Sequence, residues 1–136
     1  MEARLRRTLV VLFETICLPD FLVLAPVIEE EAMQLGYFVF FFSIQSQPDN
    51  ITYFLDQAKG DCYLISADLG IERVVEKLLR YPKPIGLLQT TFRDSFFGSE
   101  ESRSVYITSI ARHAVRKVSF KHQLDYGDIE GGLPFR

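Results

Sequence analysis

Three short stretches of this chain, Thr8–Phe13, Tyr37–Ile44 and Cys62–Ala67, carry almost nothing that suits a water-facing surface. A strand with one wet side alternates apolar and polar residues. These runs (TLVVLF, YFVFFFSI and CYLISA) do not alternate, the pattern of strands covered on both faces in a parallel sheet. Parallel neighbours cannot be joined by tight hairpins, so helical crossovers have to lie between them. The intervening sequence supplies such helices. Asp20–Leu35 repeats Phe21, Leu24, Ile28, Ala32 and Leu35 at helical spacing, with Glu29, Glu30 and Glu31 mostly on the other side and Gly36 as a natural stop. Pro26 falls inside this pattern and implies a kink or a shorter helix.

After the turn around Pro48, with Asp49 or Asn50 as the cap, a second helical face reads Ile51, Phe54, Leu55 and Ala58. A third helix starts at Asp68 or Gly70. It turns Ile71, Val74, Val75, Leu78 and Leu79 inward and ends before Pro82 and Pro84. Ile85–Leu88 is the fourth expected strand. Thr90–Ser104 reads as an irregular crossover containing Phe92, Phe96 and Phe97, which are either exposed or buried under it. Val105–Thr108 is the expected fifth strand, followed by a last helix from about Ile110 to Leu124. Repeated alternation of strand and helix with right-handed crossovers predicts a three-layer α/β/α domain. Its sheet would be mostly parallel and five-stranded, in the flavodoxin-like order 2-1-3-4-5. The expected organisation is a basic extension over 1–7, one α/β domain over 8–124 and a loose tail over 125–136, with no internal repeat.

Composition agrees with a globular domain. In 136 residues, 48% are apolar and 24% charged, and twelve Phe make up for the absence of Trp. A net charge of −3 argues against coating nucleic acid through an overall field, so a nucleic-acid role is expected only indirectly. Cys17 and Cys62 stand apart with no metal-type spacing, as thiols in a reducing compartment would. The basic start followed by apolar Thr8–Phe13 superficially suggests a secretory leader, but Glu14, Pro19 and Asp20 interrupt it. With no uncharged stretch near the ~20 residues of a membrane span, the reading is a cytoplasmic protein without a membrane contact.

Ligands on such a sheet gather at the carboxyl ends of the strands. The residues expected there are Glu14, Thr15, Ser43, Ser66, Asp68, Gln89, Thr90 and Thr91: acids, hydroxyls and an amide, but no His, Lys or Arg beside a nucleophile. His113 and His122 lie on the last helix, away from this edge, and read as surface residues. The turn Glu14–Asp20 lacks the glycines of a phosphate loop, and no cluster has metal-ligand spacing. The chain is therefore read as non-catalytic, with no cofactor and no metal. Receiver domains of response regulators offer a comparison. Glu14 matches one member of their acidic pair, Ser66 falls where their phosphoacceptor Asp should be, Thr90 or Thr91 fits, and Thr108-Ser109 replaces their Lys. Asp68 is then either a helix cap or a displaced phosphoacceptor, and the alternative reading is a degenerate receiver. A small-molecule enzyme or cofactor binder with an unrecognised site is a second alternative.

The last helix concentrates Arg112, Arg116, Lys117 and Lys121, with no acid from Ala111 to His122. Either this is a solvated face that complements the helix dipole, or it meets an acidic partner or nucleic acid.

The segment Pro19–Tyr37 (PDFLVLAPVIEEEAMQLGY), then a strand, then Gln47-Pro48-Asp49, resembles the N-terminal lobe of lac-repressor-type regulators and sugar-binding proteins. Asp61–Ile65, Lys83–Leu88 and Ser104–Ile107 are similar to further strands of that lobe, and Arg4–Thr8 to the linker that precedes it. The chain departs from the family in having no helix-turn-helix and no second lobe, and in a short stretch between Pro48 and Asp61. The resemblance implies a sensor domain of a transcription regulator or signalling protein, with Asp20, Phe21, Ser66, Asp68 and Gln89 at a ligand edge. It also implies a protein partner or homodimer, with a small-molecule effector as the other expectation.

Overall fold

The computed structural model describes residues 7–14, 18–44, 50–66, 75–88 and 99–126. Along the chain these form β1 (Arg7–Glu14), α1 (Leu18–Gln34), β2 (Tyr37–Ile44), α2 (Ile51–Ala58), β3 (Cys62–Ser66), α3 (Val75–Leu79), β4 (Ile85–Leu88) and α4 (Glu100–Tyr126). The strands make an all-parallel sheet in the order β2-β1-β3-β4.

The uniformly apolar runs work as expected for central strands. Along β1, Leu9, Val11 and Phe13 face one side, and Val10 and Leu12 face the other; all are buried. Every residue of β3 is buried in the same alternation, with Cys62 and Leu64 on the first side and Tyr63 and Ile65 on the second. Two cores result. The first packs Phe21, Leu24, Ile28 and Ala32 of α1 together with Ile107, Ala111, Val115 and Val118 of α4. The second packs Ile51 and Leu55 of α2 and Leu78 of α3. Helices thus cover both faces, as right-handed crossovers leaving β1 and β2 in opposite directions require.

Local chemistry fixes the junctions. α1 accommodates Pro26 within its length and stops at Gly36, whose φ of 86° is the left-handed conformation that a helix end favours in glycine. Between α2 and β3, Gly60 passes so close to β1 that a Cβ there would lie 2.7 Å from Val10 Cγ2. Its N–H donates to the Tyr63 hydroxyl (2.9 Å), which donates to the Leu55 carbonyl (3.0 Å). Asp61 then ties β3 to the start of β1, accepting from the Thr8 N–H at 2.8 Å and donating its own N–H back to the Thr8 carbonyl at 2.9 Å.

The fifth strand is a correction. Among the described residues the sheet has four strands, and Val105–Thr108 lies inside α4. The β-branched and aromatic run Val-Tyr-Ile-Thr suggests a strand, yet burial follows a helical stripe. Ile107, Ala111, Val115, Val118 and His122 point inward, while Val105 and Tyr106 are exposed. α4 also begins ten residues before the expected Ile110, so Glu100–Ser104 is helical rather than irregular. Its start is capped: Ser99 Oγ accepts the Ser102 N–H at 3.1 Å, with Glu100 and Glu101 in the first turn. Asp125 and Tyr126, assigned to the tail, close this helix. The expected start of the third helix, Phe92, Phe96, Phe97 and residues 127–136 lie outside the described residues, as does Cys17. No helix among the described residues is long and apolar enough to cross a membrane.

Candidate functional site

At the carboxyl edge of the sheet, Glu14 ends β1 and Asp20 stands in the first turn of α1, both placed by backbone alone. Asp68, Gln89 and Thr90 lie outside the described residues. Ser66 ends β3 with its side chain buried. Phe21 is a core residue. Its ring stacks on Phe13 at 3.9 Å between centroids and meets Phe41 edge-on at 5.5 Å, which leaves it 3% exposed. Aromatic packing of this kind accounts for Phe21 without a ligand.

The basic residues of α4 separate into two rows, because positions four apart stack on one helical face while neighbours turn by ~100°. Arg112 and Arg116 face α1. Arg112 lies 3.6 Å from Glu30, and Arg116 Nε donates to Glu31 Oε2 at 2.6 Å. Glu31, which periodicity assigns to the solvent side, is therefore buried at the α1–α4 contact. His122, expected at the surface, is also buried. Its Nδ1 lies 2.6 Å from the Tyr37 hydroxyl, joining the end of α4 to β2. Burial pushes the Tyr37 phenol well above its ordinary pKa, so it stays a neutral hydroxyl in that bond.

The second row, His113, Lys117 and Lys121, is exposed and faces away from α1. It borders a groove of about 840 Å³ between α4 and the α3–β4 segment. Ile110, Ala114 and Val118 of α4 and Ile85, Gly86 and Leu87 of β4 give the groove an apolar lining, and Lys83 stands at the β4 end. Among the described residues no Asp or Glu lines it. Lys83 is held in place by donating to the Gly60 carbonyl at 2.9 Å.

β4 pairs with β3 on one side, and no described strand pairs with its other side. Leu87, 55% exposed, and Gly86 present a low-profile strand edge there. No protein-family model matches the chain, and no curated protein is significantly similar to it. Among the described residues no group of His, Cys, Asp and Glu is placed to hold a metal ion. Cys62 is buried in the first core, with burial and then the nearby Asp61 charge pushing its thiol up to about 12.

A strand edge, apolar side chains beside it and the cationic side chains of Lys83 and Lys117 come together at this groove. In general, a strand edge offers main-chain hydrogen bonds to an added extended segment, and cationic rims favour acidic ones. Sequence reasoning placed His113, Lys117 and Lys121 on the basic last helix but did not single out Lys83 or the β4 edge. The 113/117/121 spacing was visible as one helical row. That the row faces β4 required the packing of α4.

Proposed function

We propose that this chain is a non-catalytic regulatory domain that acts through protein–protein contact, holding an extended acidic segment of a partner along the groove between β4 and α4. The observation that carries this reading is the coincidence of an edge unpaired by any described strand with a lining that is cationic among the described residues. In that setting the domain serves a signalling or transcription regulator, the role the resemblance to repressor lobes implies. The degenerate-receiver alternative turns on Asp68, outside the described residues.

The test uses extended peptides alternating Asp or Glu with Val or Leu, followed by fluorescence anisotropy and amide hydrogen exchange. Binding should weaken as salt rises, protect amides of β4, and fall roughly tenfold or more in Lys117→Glu and Lys121→Glu, each a charge reversal at the rim. Binding unaffected by both reversals, or protection that avoids β4, would refute the reading.

A groove of about 840 Å³ is also within the range of small-molecule sites, which favours an anionic effector as the second reading. It predicts thermal stabilisation by a small sugar phosphate or nucleotide, with no response to the peptides.

A further inference from the structure

β2 closes the other side of the described sheet, and within its own residues it carries no bulge, charge or proline to blunt that edge. It pairs with β1 in an unbroken register from Arg7↔Tyr37 to Glu14↔Ile44, so no bulge turns it away. Its eight residues include no charge and no proline. Natural edges are normally blunted by one of these devices.

Its two faces differ. Tyr37, Val39 and Phe41 pack against the first core. Phe38, Phe40 and Phe42 point to the α2 side and are 59%, 52% and 43% exposed. Their partners across the strand pair, Val10 and Leu12 for the latter two, are fully buried beneath α2. The cover over β1 therefore stops short of β2, leaving three evenly spaced rings beside an edge that no described strand pairs.

We propose that β2 is a dimerisation strand, pairing antiparallel with β2 of a second copy to form one continuous eight-stranded sheet. The spacing of the rings selects the occupant. A two-fold axis at Phe40 sets Phe40 opposite the partner's Phe40, and Phe38 and Phe42 opposite the partner's Phe42 and Phe38. All six rings then lie on one face in cross-strand pairs, an arrangement that aromatic side chains favour. Shifting the register by two residues along the strand leaves at least one ring per copy unmatched. A contact that is its own complement under a two-fold is the commonest form of soluble oligomer.

With aromatic side chains of roughly 200 Å² each, about half exposed, the three rings supply about 300 Å² per copy. The remainder of the ~800 Å² per partner of a standard interface has to come from the strand edge and its flanking side chains. The β4 groove lies at the opposite edge of the sheet, so this inference is independent of the one above.

Light scattering and sedimentation on the whole chain should give a dimer mass at micromolar concentration. Phe40→Lys, which places two ammonium groups face to face on the axis, should weaken association by roughly 100-fold or more. Its circular dichroism should be unchanged, because Phe40 is half exposed in the single chain. Phe40→Cys should oxidise readily to a covalent dimer, since directly opposed Cβ atoms are ~5 Å apart. Phe42→Cys should not, because its two copies would be ~13 Å apart. A monomeric native chain, cross-linking at position 42 in preference to 40, or a dimer indifferent to Phe40→Lys overturns the proposal.

Discussion

Replacing Arg116 by Met should destabilise the domain more than replacing its partner Glu31 by Met, although both changes remove the same ion pair. The side chains are unequally placed: Glu31 is 7% exposed and Arg116 is 60% exposed, with 2.6 Å between Glu31 Oε2 and Arg116 Nε. At an effective dielectric near 20, two charges ~4 Å apart attract by about 4 kcal/mol. Most of that attraction offsets the desolvation of Glu31, so the intact pair contributes little net stability. Without Arg116 the carboxylate stays buried and uncompensated. Because the arginine end is open to water, the cost falls below that of breaking a fully buried pair, at about 2 kcal/mol. Without Glu31 the guanidinium returns to solvent, and the loss is ~0.5 kcal/mol or less.

Urea denaturation followed by circular dichroism measures this asymmetry. With a slope of about 2 kcal/mol/M, the midpoint should fall by about 1 M in Arg116→Met and by a few tenths or less in Glu31→Met, at constant slope. The double variant should behave like Glu31→Met, since the stranded charge is gone. Equal losses in the two single variants, or a larger one for Glu31→Met, would refute the argument that burial of the carboxylate governs the contact.

Gly60→Ala should cost about 2 kcal/mol in the same assay, because its Cβ would sit 2.7 Å from a Val10 methyl group in a closed core. Tyr37→Phe should cost ~1 kcal/mol by removing a buried hydroxyl from His122 and the Ser119 carbonyl, with the fold retained. Stability should decline at alkaline pH, and the sign follows from Cys62. Its thiol keeps its proton up to about 12 when folded, whereas the ordinary value is 9.0. The contribution is therefore complete below about pH 9 and is lost as the pH rises toward about 12, while the unfolded chain ionises first. Tyr37, Tyr63 and Tyr81 shift the same way, chiefly through burial. Thermal melts should show a steady fall across this range, shallower in Cys62→Ala, and a flat profile would contradict the burial of these groups.

The apolar runs and helical repeats were enough to specify an α/β domain with a parallel sheet, because a strand without a wet face has few other ways to bury itself. β1, β2, β3 and β4 and the faces of α1 and α2 are readable at that level. The reading failed at Val105–Thr108, where strand-type residues outweighed a weaker helical stripe. The Ser99 cap and the two acids after it were the local signals of the true helix start. Glu31 and His122 were misassigned for a different reason. Each owes its burial to a partner 85 residues away along the chain, and no local period carries that information. The same holds for the division of the basic helix face. Composition placed four cations together, but only the packing of α4 turned Arg112 and Arg116 toward α1 and Lys117 and Lys121 toward β4. Local pattern determined which segments had to be covered. Tertiary structure alone decided which polar groups were covered with them, and which strands stand at the edges of the described sheet.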